Sequence, residues 1–190
     1  MTATQAPTRV AMLRAINVGG TGRLAMADLR ALMAKLGYHD VATVGASGNV
    51  IYRTSDSSCP PHEDAARIAA AVALLVGRAT PCVVRTADDL AALVASDPFA
   101  KLDAAVPDKW RFVLLSTTPL APREKVPPPQ VATLTLVGHD AGAIYYAMHA
   151  ADRKALDYPK QLEKALGATL TARNWNVVRQ IAAKAAAAPT

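Results

Sequence analysis

The order of the apolar segments in the first half of the chain constrains its fold more than any other feature. An apolar run interrupted only by Arg14 leads into a glycine-rich stretch, and a segment with apolar residues at steps of three and four follows. These patterns predict a buried strand, a loop and an amphipathic helix. Two short strand-like runs, a second helix and a further strand complete a βαββαβ order, which is typical of ferredoxin-like folds. The predicted strands are Arg9–Val18, Val41–Val44, Val50–Thr54 and Pro81–Arg85, and the predicted helices are Met26–Leu36 and His62–Val76.

The second half of the chain repeats this plan less completely. A helix with Thr86 as N-cap and Asp89 as capping-box acid ends the first half at Asp97-Pro98. Five prolines between 117 and 130 then leave room for at most a short helix near 122–125. The predicted fold class is α+β, with two ferredoxin-like (βαββαβ-type) subdomains and an apparent duplication. The predicted divisions are a disordered tail at 1–8, an N-terminal subdomain at 9–96, a linker at 97–109 and a C-terminal subdomain at 110–190. The second half has predicted strands at Trp110–Ser116, Val131–Val137, Ala143–His149 and Ala168–Ala172, and helices at Pro159–Leu166 and Asn174–Ala187.

Composition excludes several classes of protein. Hydrophobic residues make up 52% of the 190 residues, which is ample for a core, and no apolar run approaches the roughly 20 residues of a membrane-spanning helix. Cys59 and Cys82 do not have the spacing of a zinc or redox motif, and residues 1–8 do not have the pattern of a signal peptide. We therefore expect a cytoplasmic protein with free thiols and with no cofactor, metal ion or membrane partner.

The formal net charge of +6 lies mostly in the second half of the chain. From Lys101 onward, 12 Lys and Arg residues face 7 Asp and Glu residues, whereas the first 100 residues hold 9 against 8. Such a surface attracts nucleic acid or a phosphorylated ligand, or is simply solvated. Nucleic-acid binding on a sheet needs several exposed aromatic residues, which are scarce here. The only candidates on predicted strands are Tyr52, Trp110, Tyr145 and Tyr146.

Six short motifs follow one another along nearly the whole chain. They are LRAINVGG at 13–20, MADLR at 26–30, SGNV at 47–50, VRT at 84–86, DPF at 97–99 and TARNWN at 171–176. Through these motifs the chain resembles the domain of unknown function 1697 family. The resemblance implies a two-subdomain α+β protein, and it implies no established activity.

The chain departs from the usual pattern of that family at two places. Members usually carry Gly-Ile-Asn-Val-Gly-Gly-Lys in the first motif, whereas this chain has Ala15 for the first glycine and Thr21 for the lysine. Arg23 provides a positive charge two positions later. Gly45 and Ala46 stand where members usually carry an aromatic residue and a glutamine before the Ser-Gly-Asn motif.

Two polar motifs of the first half are candidates for binding. Gly19, Gly20 and Gly22 precede the first helix, where backbone amides can cradle an anion. A tight turn that needs positive φ is the alternative, and for this motif alone it is favoured. No Lys-Ser or Lys-Thr pair follows, so the stretch is not a P-loop. Ser47-Gly48-Asn49 does not have the second glycine of a serine-hydrolase elbow, and no histidine is placed to act as its base. The structural alternative is a bulge whose side chains satisfy local backbone groups.

The Arg173-Asn174-Trp175-Asn176 motif is the third candidate. Arg173 has the bidentate geometry that suits a phosphate, Trp175 offers a surface for stacking, and Asn176 offers an edge for hydrogen bonding. In the structural interpretation Asn174 caps the last helix, Trp175 packs in the core and Arg173 bridges to a carboxylate. We favour the core position for Trp175.

Because these polar clusters stand at the ends of core-like elements, we expect them to form one pocket where the two subdomains meet. A small ligand that carries phosphate or carboxylate fits such a residue set best. Single-stranded nucleic-acid binding and an enzyme of unknown reaction remain alternatives, as does a purely structural role. The predicted ligand-binding residues are Arg14, Asn17, Gly19, Gly20, Arg23, Ser47, Asn49, Arg173, Asn174 and Asn176.

Overall fold

A computed structural model describes residues 6–17, 23–120 and 126–188. Within these ranges the chain has a mixed α+β structure with two four-stranded antiparallel sheets and five α-helices. It divides into two compact units. Unit 1 comprises Met1–Ala92 and Gln180–Thr190, and unit 2 comprises Leu93–Arg179. The linker that the sequence places at 97–109 stays a prediction.

The strands and helices follow one another in an order close to the predicted one. The strands are β1 (Thr8–Leu13), β2 (His39–Val44), β3 (Asn49–Arg53), β4 (Cys82–Thr86), β5 (Arg111–Ser116), β6 (Leu134–His139), β7 (Ala143–Met148) and β8 (Leu170–Asn174). The helices are α1 (Met26–Lys35), α2 (Pro61–Val76), α3 (Ala87–Ser96), α4 (Tyr158–Leu166) and α5 (Trp175–Ala186). No helix of the described ranges is both long enough and apolar enough to cross a membrane.

Unit 1 is built on a sheet of strand order β2-β3-β1-β4. The central strand β1 pairs antiparallel with both of its neighbours, so that Arg9 lies opposite Tyr52 on one side and Thr86 on the other. Alternate residues of these strands point toward one face, where α1 and α2 supply the apolar residues Leu29, Met33, Ile68 and Val72. The sheet therefore forms a core with the amphipathic faces of two helices.

Unit 2 is built on a sheet of the corresponding order, β6-β7-β5-β8. On one face, Tyr158 and Leu162 of α4 pack in a cluster with strand residues such as Leu114 and Ile144. On the other face, Phe99 contacts Tyr145 and Trp175, with ring centroids 6.1 and 5.3 Å apart. Both faces of this sheet are thus buried within the unit.

Several local predictions are confirmed. Thr86 and Asp89 form the predicted capping box at the start of α3, since each side chain accepts a hydrogen bond from the backbone N–H of the other, at 3.0 and 3.1 Å. Gly37, Gly77 and Gly167 adopt left-handed φ values at the C-terminal ends of α1, α2 and α4. Because left-handed backbone is unstrained only in glycine, these residues end the helices as the sequence indicates.

Several predicted boundaries are wrong. The strand predicted at Arg9–Val18 ends at Leu13, because the backbone turns into left-handed φ at Ala15 and Asn17. The strand predicted at Val131–Val137 begins at Leu134 and runs to His139, two residues beyond the predicted end. Asn174 is the last residue of β8 rather than a residue of the terminal helix, which begins at Trp175. The short helix predicted near 122–125 lies outside the described residues.

Candidate functional site

The side chain of Asn17 joins the two described ends of the glycine-rich stretch that the sequence predicts to be a loop. Its amide Nδ2 donates to the carbonyl of Leu24 at 2.9 Å and to that of Ala46 at 2.7 Å, and its Oδ1 accepts from the backbone N–H of Leu24 at 2.9 Å. Residues 17 and 24 are therefore held together at the base of the loop, and the turn between β2 and β3 is attached to the same point. Gly19 and Gly20, which the sequence predicts as ligand-binding residues, lie outside the described residues.

The backbone before this loop is strained. Ala15 has φ of 52° and Asn17 has φ of 57°, values that cost an L-residue free energy. The guanidinium of Arg78 lies directly beside this strained turn, because its Nη2 donates to the carbonyl of Ala15 at 2.5 Å. Arg14 is half buried and Arg23 is exposed. Three arginines thus lie on the segments that border the loop, and one of them, Arg78, was missed by the sequence analysis.

The Ser-Gly-Asn motif forms the tight connection between β2 and β3. Asn49 is 1% exposed and donates through Nδ2 to the carbonyl of Val44 at 3.0 Å and to Oγ of Ser47 at 3.2 Å. Gly48 has φ of 76°, and a Cβ there would lie 2.9 Å from Cβ of Leu13. The local hydrogen bonds agree with the structural interpretation of the motif, and the turn gives Asn49 no exposed surface for a ligand.

The Arg173–Asn176 motif lies in unit 2, at the junction of β8 and α5. Arg173 is 9% exposed and donates to the carbonyl of Ala172 at 2.8 Å, and Asn174 donates to the carbonyl of Lys109 at 2.5 Å. Trp175 is 2% exposed, which confirms its predicted place in a core. The buried Oδ1 of Asn176 has no hydrogen-bond partner among the described residues.

The predicted site residues therefore fall into two groups. The described members of the first group lie in unit 1, on the segments beside the loop closed by Asn17. Those of the second group lie in unit 2, at the junction of β8 and α5. That the two groups share one pocket stays a prediction. The group in unit 1 comprises Arg14, Asn17, Arg23, Ser47 and Asn49, and the group in unit 2 comprises Arg173, Asn174 and Asn176.

A buried ionic cluster in unit 1 was missed by the sequence analysis. Asp64 is 2% exposed, and it accepts hydrogen bonds from Arg9 Nη1 at 2.6 Å, from the Tyr38 hydroxyl at 2.7 Å and from the Tyr52 hydroxyl at 2.8 Å. Arg9 also donates through Nη2 to the carbonyl of Cys59 at 2.6 Å. The signal available in the sequence was Arg9 at the start of the first predicted strand, because an arginine that is buried there requires a partner.

Burial controls the protonation of this cluster. It raises the pKa of both Tyr38 and Tyr52, and the neighbouring carboxylate of Asp64 raises them further. Burial acts to lower the pKa of Arg9, but the hydrogen bond and charge of Asp64 outweigh it and leave that pKa raised. The phenols stay neutral and the guanidinium stays charged near neutral pH, so the cluster is a fixed ion pair with two hydrogen-bond donors.

The described residues hold no recognisable nucleophile or metal set. Burial, with Asp64 and Glu63 nearby, raises the pKa of the Cys59 thiol, and a protonated thiol is a poor nucleophile. All four histidines are exposed, and no group of three or more His, Cys, Asp or Glu residues in the described ranges could hold a metal ion. The exposed histidines are His39, His62, His139 and His149.

The aromatic residues considered for base stacking are mostly buried. Tyr52, Tyr145 and Tyr146 are 0%, 6% and 4% exposed, and Trp110 is half buried. Base stacking requires an accessible ring face. These side chains therefore do not form an exposed platform for nucleic acid.

Comparison with known proteins confirms the family resemblance that the sequence motifs indicate. A conserved bacterial protein, SP0830 from Streptococcus pneumoniae, has a similar fold, with a TM-score of 0.65 and 17% sequence identity over 95% of this chain and 99% of that chain. No curated protein matches the chain. The model of a family described as "Protein of unknown function (DUF1697)" matches residues 7–132, which is more than half of the chain. The chain therefore belongs to the DUF1697 family of proteins of unknown function.

Proposed function

We propose that the protein binds a small ligand carrying phosphate or carboxylate at the loop that Asn17 closes in unit 1. The observation that carries the proposal is a local excess of positive charge. Arg14, Arg23 and Arg78 all lie on the segments that border this loop, and Arg78 contacts the turn itself. The bordering segments 14–17, 23–25, 45–49 and 78–81 contain no Asp or Glu. Arginines on neighbouring segments that hold no carboxylate favour an anion, since a guanidinium group can donate two parallel hydrogen bonds to it.

The hydrogen-bonding state of Arg78 supports the same ligand class. Its Nη2 is used by the carbonyl of Ala15, whereas its buried Nε has no hydrogen-bond partner among the described residues. A buried donor without an acceptor costs free energy, so an anion that reached this edge of the guanidinium would recover that cost. The hydrogen bonds of Asn17 hold the loop base in place before binding, which lowers the entropy lost when a ligand binds.

Titration calorimetry at low ionic strength tests the proposal. The probes are inorganic phosphate, pyrophosphate, citrate and adenosine monophosphate, each added to the full chain. We expect at least one to bind, and Arg14→Gln and Arg78→Gln to weaken it by roughly tenfold each, as the loss of a charge-assisted contact predicts. Arg153→Gln is the matched control, because Arg153 is exposed in unit 2. Circular dichroism of each variant separates lost binding from lost folding.

Arg173→Gln tests whether the motif of unit 2 takes part in the same site. If the two groups share a pocket, this variant weakens the same probe as Arg14→Gln does, although it lies in unit 2. If only the unit 1 variants matter, the ligand binds to unit 1 alone. Binding that is equally strong in all variants, or no binding of any probe to folded protein, would overturn the proposed function.

We also propose that both units are ferredoxin-like and arose by duplication. Their strand orders correspond position by position, since each begins with the second strand of its unit, followed by the third, the first and the fourth. In both, the central strand pairs antiparallel with its two neighbours. A reducing, cytoplasmic location is proposed as well, and the free thiols of Cys59 and Cys82 support it.

A further inference from the structure

Unit 1 also contains a cleft, at the opposite end of β1 from the loop closed by Asn17. The cleft has a volume of about 300 Å³, which is at the lower end of the range for small-molecule sites. Thr8 lies at the start of β1 beside the cleft, and the strand is six residues long. The two sites are therefore about 17 Å apart along the strand, and the cleft is independent of the proposed anion site.

The walls of the cleft combine two opposite charges with small apolar groups. Arg53 and Asp88 are its charged lining residues, and Thr8 and Thr86 add hydroxyl groups. The remaining lining is short apolar side chains from the residues that precede β1, from the start of α3, and from the end of α5 and the segment that follows it. These apolar lining residues are Ala6, Pro7, Ala87, Ala185, Ala186 and Ala188.

The position of Arg53 is fixed by the surrounding chain. Its Nε and Nη2 both donate to the carbonyl of Ala6, at 3.1 and 3.0 Å, and its Nη1 lies 3.9 Å from a carboxylate oxygen of Asp40. Its side chain is 14% exposed, so this cation is largely desolvated and interacts more strongly with a nearby anion than a surface arginine does. Asp88, by contrast, is exposed on the first turn of α3.

From this arrangement we propose that the cleft binds a small zwitterionic ligand of the short-peptide class, with small apolar side chains. Its carboxylate lies toward Arg53 and the threonine hydroxyls, and its ammonium group lies toward Asp88. The short alanine and proline side chains of the walls favour a ligand with small apolar side chains, which can contact both walls. The lining thus offers one cation and one carboxylate, and a ligand that carries both charges matches both of them.

The probe that tests this proposal is L-alanyl-L-alanine, titrated into the full chain and followed by calorimetry. We expect binding in the range of about 10 µM to 1 mM. N-acetyl-alanyl-alanine, which has no ammonium group, and alanyl-alanine amide, which has no carboxylate, should each bind roughly tenfold more weakly, since each loses one charge-assisted contact. In the Asp88→Asn variant, alanyl-alanine and its N-acetyl form should bind equally well, because the ammonium group no longer has a carboxylate to contact. The amide should still bind more weakly than alanyl-alanine, because Arg53 is unchanged.

A second variant tests the shape of the cleft and leaves Arg53 and its hydrogen bonds to Ala6 in place. Ala186→Leu fills the cleft from an exposed position of α5, and Leu is a good helix former, so the helix is retained. Ala183→Leu is the control, because Ala183 is exposed on the same helix and does not line the cleft. The proposal predicts loss of dipeptide binding in the first variant and unchanged binding in the second. Absence of dipeptide binding to the folded wild-type chain, or equal binding by both leucine variants, would overturn it. Neither result depends on whether the anion probes bind.

Discussion

The two units hold a helix on the same kind of sheet by different chemistry. At corresponding register positions of the central strand pair, unit 1 has Arg9 opposite Tyr52 and unit 2 has Phe112 opposite Tyr146. In unit 1 the arginine forms an ion pair with Asp64 of α2. In unit 2 the two rings stack, with centroids 4.9 Å apart and planes 10° from parallel. One strand order therefore accommodates either an ionic or an aromatic contact at its centre.

The helix ends show the same difference. Asp64 lies in the first turn of α2 and joins that helix to β1 and β3 through Arg9 and Tyr52. Tyr158 begins α4, packs edge-on against Tyr146 and donates to the carbonyl of Pro127 at 2.8 Å. A buried ion pair must keep both partners, whereas an aromatic contact loses only packing and one neutral hydrogen bond when it is changed. We therefore expect the stability of unit 1 to be more sensitive to single substitutions than that of unit 2.

Asp64→Asn is expected to lower the free energy of unfolding more than any other change proposed here. The change leaves Arg9 buried, at 3% exposure, without its counter-charge, and breaking a buried pair in this way costs about 3–5 kcal/mol. Urea unfolding followed by circular dichroism measures the loss. Lys160→Gln in unit 2 is the control, because its pair with Asp157 is largely exposed and should contribute little. A loss below about 1 kcal/mol would show that the ion pair does not stabilise unit 1 as argued.

Replacing both charges sharpens this result. In an Arg9→Met, Asp64→Leu double variant no buried charge is left alone, and such replacements are often neutral or stabilising. The hydroxyls of Tyr38 and Tyr52 would, however, have lost their acceptor. We therefore expect the double variant to be more stable than Asp64→Asn and less stable than the wild type.

Much of the fold could be predicted from the sequence, because its signals are local. Helix periodicity, the Thr86–Asp89 capping box and the glycines after α1 and α2 each depend on neighbouring residues, and the structure confirms them. The place of Trp175 in a core followed from its spacing in the last helix, and it is also confirmed. The end of β1 was missed because apolar residues continue beyond Leu13 while the backbone turns.

The candidate site was less predictable, because its contacts join residues far apart in the sequence. Arg78 reaches Ala15 across 63 positions, and Arg9 reaches Asp64 across 55. No pattern of a single sequence pairs such positions. Arg14, Asn17 and Arg23 could be predicted as site residues because they lie beside the glycines in the sequence. The local hydrogen bonds of Asn49 could not be predicted in the same way.

The hairpin glycines offer a second comparison of the units. In Gly48→Ala the new Cβ meets Cβ of Leu13 at 2.9 Å in left-handed backbone, whereas a Cβ at Gly138 of β6 meets nothing within 4 Å. We expect Gly48→Ala to lower the free energy of unfolding by about 2–3 kcal/mol and Gly138→Ala to leave it nearly unchanged. Denaturant midpoints of the two variants measure the difference. Equal midpoints would mean that the hairpin of unit 1 relaxes around the added methyl.

Removing one phenol hydroxyl from each unit compares the two helix contacts directly. Tyr52→Phe removes a hydrogen bond to the charged Asp64, which is worth about 1.5–3 kcal/mol, and Tyr158→Phe removes one to a neutral carbonyl, worth about 1 kcal/mol. Unfolding by urea at neutral pH should therefore show the larger loss for Tyr52→Phe. The reverse order would contradict the ionic character assigned to the contact in unit 1.

The buried tyrosines of unit 2 make the protein sensitive to alkaline pH. Burial raises the pKa of Tyr158 to about 12, and it also raises that of Tyr146, whereas an unfolded phenol titrates near 10. A group whose pKa is higher in the folded state stabilises the fold fully below its unfolded pKa. This contribution is lost as the pH rises through the folded value, so the free energy of unfolding should fall from about pH 10 upward. Tyr158→Phe should reduce the slope of that fall, measured by urea unfolding between about pH 9 and pH 12.

The smallest expected effect on stability is that of relieving backbone strain. More of the described residues with left-handed φ lie in unit 1 than in unit 2. Ala15, Asn17 and Asp40 of unit 1 have left-handed φ, and Asp97 is the described counterpart in unit 2. Ala15→Gly removes the steric cost of left-handed backbone, partly offset by the extra entropy of glycine in the unfolded chain, so we expect a gain of about 0.5–1 kcal/mol. Asn17→Gly relieves the same strain but removes three hydrogen bonds that close the loop, and it should be destabilising. Melting temperatures of the two variants should therefore shift in opposite directions, and a fall in both would mean that the methyl group of Ala15 contributes packing that outweighs its strain.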